Sequence, residues 1–334
     1  TQLLGSSADD YAVSISTAAD GSVYIAGSTS GDLDGQTLSG YHDNFLSKFD
    51  SNGSKVWTQL LESSPNGYGL SVNTAADGSI YIAGDTFTDV DGQTNNGWTD
   101  AFLRKYNSDG SKEWTRLLGS SDDDWAESVT TSADGSVYIV GTTLGNLDGH
   151  SNSGGNDVFL SKYDSDGSKQ WTQLLASSSD ESGRSASTSA DGSIYIAGSA
   201  YGDLAGHINS GGPDVYLGKY NSDGSREWTQ LIGSISDDYW PSVSAFDNGF
   251  VYVGGSTGGH LDGQVNVGST DAFLSKYIIY YEPVSINLSA STFDENIAGG
   301  YAVATLSTSD PDSGDNHTYT LVSGDGDADN SAFT

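Results

Sequence analysis

The chain has 334 residues, enough for one large β domain and part of another, with 12 basic against 45 acidic residues and a formal net charge of -33. That balance excludes a nucleic-acid reader, which needs a lysine and arginine stripe against phosphates. Cysteine is absent, so there is no disulfide framework and no thiolate metal site, and no run of 18 apolar residues offers a membrane span.

In chain order, "TQLL" (1–4) reads as a fourth β-strand without its sheet. "YAVSISTAADGSVYIAGS" (11–28) reads as two strands joined by an Ala-Asp-Gly turn. A long loop, "TSGDLDGQTLSGYHD" (29–43), leads to "NFLSKFD", the turn "SNGS" and "KVWTQLL", a second hairpin ending at 61. The pattern returns three times, placing Trp57, Trp114, Trp171 and Trp228 at a fixed 57-residue period. Nine of the 12 basic residues fall at two repeated positions, represented by Lys48 and Lys55, and belong to the scaffold. The last copy stops after "DAFLSKY" (271–277), and from Glu282 the composition changes. With no methionine at position 1, the chain reads as an interior piece of a longer protein.

The expected fold is all-β. A meander of four short strands cannot bury both faces alone, so copies must stack, either radially as a β-propeller or in line as a solenoid. The ends favour the propeller: "TQLL" can complete the last copy, closing a ring of five blades and removing exposed edges. The expected domains are a propeller over 1–277, a linker over 278–284 and a partial β-sandwich over 285–334. Within each repeat the Asp-Gly turn precedes a tryptophan that starts the outer strand, where a large aromatic can seal one blade against the next.

These units resemble the SBBP-type bacterial β-propeller repeat. The matching elements are "DAFLRKY", the "SDGS" turn, the Trp-led strand, a "DDY" loop and "DGSVYIAG", in that order through residues 1–277. The resemblance implies an extracellular or surface-associated propeller with no common chemistry. Further on, "DEN" (294–296) and "SDPDSGD" (309–315) resemble the first half of a bacterial cadherin-like domain. That resemblance implies Ca²⁺ binding by Glu295, Asp310 and Asp312.

In a four-stranded meander the connections from second to third strand and from fourth to first emerge on one face, and here both are acidic. Asp32, Asp34, Asp89, Asp91, Asp148 and Asp262 are therefore candidate Ca²⁺ ligands. The bland alternative makes them Asp-Gly turns and a solvated acidic surface. Asp43, Asp100, Asp157, Asp214 and Asp271 recur in every copy. A structural hydrogen bond is expected of them, with the repeated lysine among the possible partners. The loop tips vary between copies and carry Tyr41 and Trp98, aromatics suited to sugar stacking or protein contact.

The functional expectation is a non-enzymatic extracellular or cell-surface module, in tandem with neighbouring domains of a large calcium-dependent adhesin-like protein, that binds carbohydrate or a surface protein. The alternative is a propeller enzyme acting on polysaccharide, a glycoside hydrolase or lyase, which would need a carboxylate pair about 5–10 Å apart. Its mark would be a break in the repeat around residues that perturb one another.

Overall fold

The computed structural model describes residues 1–61, 70–246, 249–279, 285–289, 304–309 and 319. The chain divides into two compact units, one of Thr1–Asp247 with Val251–Lys276 and one of Asn248–Phe250 with Tyr277–Thr334.

The first unit is a row of antiparallel meanders. Strands β1 (Asp10–Thr17), β2 (Val23–Thr29), β3 (Asp43–Phe49) and β4 (Lys55–Leu61) form the first sheet in chain order. The second comprises β5 (Leu70–Thr74), β6 (Ile80–Thr86), β7 (Asp100–Tyr106) and β8 (Lys112–Leu118). The third comprises β9 (Asp124–Thr131), β10 (Val137–Thr143), β11 (Asp157–Tyr163) and β12 (Lys169–Leu175). In the fourth are β13 (Glu181–Thr188), β14 (Ile194–Ala200), β15 (Asp214–Tyr220) and β16 (Arg226–Ile232). The fifth has three strands, β17 (Asp238–Phe246), β18 (Phe250–Thr257) and β19 (Asp271–Ile278).

Each hairpin follows from its turn residues. Gly21, Gly78, Gly135 and Gly192 take positive φ in the Asp-Gly turns between first and second strands, a conformation that glycine adopts without steric cost. The central strands "VYIVGTT" and "IYIAGSA" are buried along their whole length, because a neighbouring sheet covers each face. The first strands of consecutive sheets, β1, β5, β9, β13 and β17, pack side by side. The hydrophobic cores accordingly lie between sheets. One joins Tyr81, Leu103 and Leu118 to Val137, Ile139 and Phe159, and another joins Tyr138, Val140 and Leu160 to Ile194, Ile196 and Tyr216. Each such side chain contributes about 1.5–3 kcal/mol on burial.

The tryptophans sit where the repeat predicts an inter-sheet seal. A Cβ on Gly167 would lie 2.9 Å from the Trp114 ring, and one on Gly110 would lie 3.3 Å from Trp57. The repeated lysine helps from the same side: Lys48, Lys105 and Lys162 donate to the carbonyls of Ser108, Ser165 and Ser222 in the next sheet's turn, at 3.0, 3.2 and 3.0 Å.

The ring is not closed by residues 1–4. They form no strand, Leu3 is almost wholly exposed, and the fifth sheet has three strands. Ser6 donates its N–H to Asp10 at 2.6 Å, the same turn that Ser120, Ser177 and Ser234 make to Asp124, Glu181 and Asp238. In those copies the turn leads out of a preceding sheet. Residues 1–4 pair with no strand among the described residues. Tyr11, Val13 and Ile15 on β1 and Leu274 on β19 are left exposed.

In the second unit β20 (Ser285–Leu288) pairs antiparallel with β21 (Leu306–Ser309), Ser285 opposite Ser309. Glu295, Asp310 and Asp312 lie outside the described residues.

Candidate functional site

The long loop of each repeat is a small clamp on the outer strand of its own sheet. In the first copy Leu33 and Gln36 form an isolated bridge around Asp34 and Gly35, whose φ values are 52° and 79°. Two consecutive positive φ angles make a turn of the kind that Asp-Gly favours. The same bridge recurs as Val90 with Gln93, Leu147 with His150, Leu204 with His207 and Leu261 with Gln264. The Gln36 amide then donates to Thr58 O at 2.7 Å and accepts from Leu60 N at 3.0 Å. Gln93 does the same with Thr115 and Leu117. The loop side chain thus satisfies backbone groups along the edge of β4 and β8, a protection that exposed edge strands require.

That geometry places the rim aspartates. Asp34 accepts from Lys55 Nζ at 2.5 Å, Asp91 from Lys112 Nζ at 2.5 Å, and Asp148 pairs with Lys169. Hydrogen bonds from Lys55 and then Thr58 hold the Asp34 carboxyl below its ordinary value. The fourth copy has Ala205 and Arg226 at these two positions, and the fifth, with Asp262 at φ 48°, belongs to the sheet without a fourth strand. Asp32 and Asp89 instead accept the N–H of the residue six on, Leu38 or Asn95, each at 2.9 Å. Asn146, Asp203 and His260 do the same in the other copies, all at 2.9 Å. A task shared by Asp, Asn and His needs an acceptor and no negative charge. A cation on the Asp34, Asp91 or Asp148 carboxylate would share it with a lysine on Oδ1. Among the described residues no three His, Asp or Glu side chains converge on a point that could hold a metal.

Asp43, Asp100, Asp157, Asp214 and Asp271 hold their own loop and not the repeated lysine. They accept backbone N–H bonds from Ser39, Asn96, Ser153, Ser210 and Val267, at 2.7–2.9 Å.

Tyr41 and Trp98 stand at the loop tips, each 82% exposed. The tips are fixed from beneath, because a Cβ on Gly97 would lie 2.2 Å from Asp122 O and one on Gly211 would lie 2.4 Å from Ile235 O. The second, third and fourth loops therefore lie against the next sheet's entry loop, and Trp98 projects from a supported backbone.

One constellation escapes a reading by repeats. Positions 13, 70, 127, 184 and 241 are equivalent in the first strands and carry Val13, Leu70, Glu127, Arg184 and Pro241. Arg184 Nη1 lies 3.5 Å from Glu127 Oε1, and its guanidinium carbon lies 5.0 Å from the centre of the Trp240 ring. Burial pushes the Glu127 carboxyl up, and Arg184 pulls it back in part. The line runs across three sheets, and Trp240 is largely exposed with φ 58°. The signal available in sequence was the departure of "DESGR" and "YWPS" from the repeat; the pairing with Glu127 appears only once β9, β13 and β17 are packed together.

Residues 113–148 match the SBBP family, the Beta-propeller repeat. The matched span runs from β8 through β9 and β10 to the Asp148 turn, so the sequence unit straddles two sheets. A curated relative, the Regulatory protein FlaEY of Caulobacter vibrioides, is 30% identical over 65% of this chain and 26% of its own length. The chain therefore spans about a quarter of that relative. Among solved structures, a protein of unknown function from Dyadobacter fermentans is similar at 12% identity, with a TM-score of 0.48 over 79% of this chain and 74% of that one. A polysaccharide lyase of the PL25 ulvan lyase family is similar at 10% identity, with a TM-score of 0.44 over 77% and 68%.

Proposed function

We propose that this chain is a non-enzymatic interaction module of an extracellular or cell-surface protein, with carbohydrate or a surface protein as the partner. The observation that carries the reading is where the repeats agree and where they differ. Positions that are buried or that clamp the loops recur copy after copy, whereas the equivalent tip positions carry Tyr41, Trp98, Gly155, Gly212 and Ser269. Both aromatics among them face solvent, Trp98 from a braced loop. Rigid exposed aromatics lose little conformational freedom on binding and stack on sugars or fill partner pockets. The line of Glu127, Arg184 and Trp240 adds a charged and aromatic element on the first strands.

The polysaccharide-cleaving alternative requires an acid and a base that touch substrate. Asp100, Asp124, Asp157 and Glu181 have neighbours of like charge, but all four are wholly buried, where a glycosidic oxygen has no access. The test is to present the full chain and its Trp98→Ala/Tyr41→Ala variant to an array of neutral and acidic polysaccharides and to immobilised bacterial surface protein. Binding lost in the variant with unchanged melting supports the reading. Release of reducing ends or unsaturated sugars by the parent chain would replace it with the enzyme.

A further inference from the structure

A buried pair of carboxylates recurs where one sheet meets the next. The first strand of each new sheet is tied to the previous one by a main-chain bond: Asp124 N donates to Thr99 O, Glu181 N to Asn156 O and Asp238 N to Pro213 O, each at 2.7 Å. Each acceptor immediately precedes an aspartate, so the bond sets Asp100 beside Asp124, Asp157 beside Glu181 and Asp214 beside Asp238. All six residues are 0% exposed. Glycine makes room for the approach at two of the three junctions. A Cβ on Gly119 would lie 2.1 Å from the Asp100 carboxyl carbon, and one on Gly233 would lie 2.0 Å from Asp214 Oδ1.

Asp100 and Glu181 have a donor on each oxygen, whereas the other four carboxylates are only partly satisfied. Asp124 Oδ2 accepts from Ser120 N at 2.6 Å, Asp157 Oδ2 from Ser153 N at 2.8 Å, Asp214 Oδ2 from Ser210 N at 2.8 Å and Asp238 Oδ2 from Ser234 N at 2.7 Å. The other oxygen of each, Oδ1, is buried and accepts no hydrogen bond from the described residues. Thr143 stands beside Asp124 in the strand register, but it gives its single hydroxyl proton to Gly145 O at 3.0 Å. No lysine or arginine among the described residues forms an ion pair with any of the six.

The first junction differs in sequence. There the sequence has Gly67 in place of the second carboxylate. Asp43 has a donor on each oxygen, Ser39 N and Ser39 Oγ, both at 2.7 Å. Asp10 Oδ1, in the same entry turn before β1, is a buried atom without a donor as well, so the unfilled oxygen belongs to the turn and the second carboxylate adds a like charge beside it.

Burying two like charges with unfilled acceptors is costly unless something positive lies between them. Ca²⁺ takes oxygen ligands only, accepts carboxylates from separate loops and completes its shell with main-chain carbonyls and water. We propose that the Asp100/Asp124, Asp157/Glu181 and Asp214/Asp238 junctions each bind one Ca²⁺ ion, which joins consecutive sheets from within. These sites are distinct from the lysine-paired aspartates of the outer clamp.

The experiment uses the full chain, stripped with chelator and dialysed, then titrated with CaCl₂ alone by calorimetry and with Tb³⁺ by sensitised emission, since Trp125 and Tyr239 adjoin two of the junctions. Bound Ca²⁺ is expected to raise the melting temperature, as ligands of the native state do. Glu181→Gln is expected to lose one bound ion per chain, and Asp214→Asn/Asp238→Asn another, with the two losses additive. A variant with Asp34, Asp91 and Asp148 all changed to Asn is expected to keep every ion. The conservative Glu181→Gln change keeps the test valid should the double variant not fold. The proposal is overturned by absence of Ca²⁺ binding, by an unchanged ion count in both junction variants, or by loss of the ions in the clamp variant. It is equally overturned if infrared spectra at pH 7 in Ca²⁺ show protonated carboxyl bands that the junction variants remove, which would mean that a shared proton occupies the place assigned to the cation.

Discussion

Trp171 and Gly224, which belong to different sheets, are in contact through a gap that only glycine permits. A Cβ on Gly224 would lie 3.0 Å from the Trp171 ring, while the indole N–H donates to Ser222 O at 3.3 Å. Gly224 also holds φ 89°. One residue therefore satisfies the turn and the seal. Gly224→Ala is expected to destabilise the protein by roughly 1–3 kcal/mol through backbone strain, with the ring forced back as well. Trp171→Ala is expected to cost about 3 kcal/mol, the low end for a large aromatic because this one is only partly buried. Urea melts followed by far-ultraviolet circular dichroism measure both. A change in either variant no larger than that of a surface substitution would mean that the seal lies elsewhere.

The outer clamp separates a weak ion pair from a stronger backbone contact. The Lys112 and Asp91 side chains are about a third exposed, so Lys112→Met is expected to cost no more than ~1 kcal/mol. Gln93→Ala removes the side chain that accepts from Leu117 N and donates to Thr115 O, and is expected to cost about 1–2 kcal/mol. Amide hydrogen exchange should show the Gln93 variant losing protection at Leu117 while the Lys112 variant keeps it.

The junction carboxylates set a pH dependence in calcium-free buffer. Burial pushes Asp124 from the ordinary 3.8 up to about 6 and Glu181 from 4.5 up to about 7, despite the serine hydrogen bonds that oppose it. A folded-state value above the unfolded one means that the native state holds the proton more tightly. The corresponding stability is complete below about pH 4 and is lost as pH rises through 6 and 7. At about 1.4 kcal/mol per unit each group contributes on the order of 3 kcal/mol. Asp34 acts oppositely, since its lowered value contributes stability that disappears only as pH falls below the ordinary carboxylate range. Thermal melts between pH 4 and 8 in chelator should therefore fall with rising pH, and Glu181→Gln should flatten the upper part of the curve. A flat profile in the parent chain would show that these groups remain ionised.

How much of this was legible before the structure depends on what each residue answers to. The strands, the turns and the tryptophan seal were readable because each is dictated by residues close in sequence and repeated at a fixed period. The acidic loop motif "GDLDG" was legible as Asp-Gly turns on an acidic face, whereas the folding of Gln36 and Asp34 onto β4 was not. A sign was present: glutamine follows Asp-Gly at 36, 93 and 264, and a lysine stands 21 residues after Asp34, Asp91 and Asp148. Ring closure by "TQLL" is not seen, since residues 1–4 pair with no strand among the described residues, although the turn at Ser6 and Asp10 is the one that follows a fourth strand in later copies. The buried carboxylate junctions and the arginine line were beyond sequence reasoning, because their members are 24, 56 or 57 residues apart and meet only when sheets stack.

The arginine line makes the last prediction. Arg184 is the influence that lowers the Glu127 carboxyl against the effect of burial, so Arg184→Ala should raise the Glu127 titration point further. With only seven glutamates in the chain, carboxyl carbon shifts in a ¹³C-glutamate sample can follow this one directly. Both partners are about a third exposed, so the stability change should stay within ~1 kcal/mol. Arg184→Lys should preserve the Glu127 titration but weaken the contact with Trp240, because an ammonium lacks the flat guanidinium face that stacks on an indole. If the first strands take part in binding, both variants should weaken capture of the polysaccharide or surface protein identified on the array, with melting unchanged. If capture depends on Trp98 and Tyr41 and is indifferent to Arg184, the binding surface is confined to the loop tips, and the Glu127, Arg184 and Trp240 line serves to hold three sheets in register.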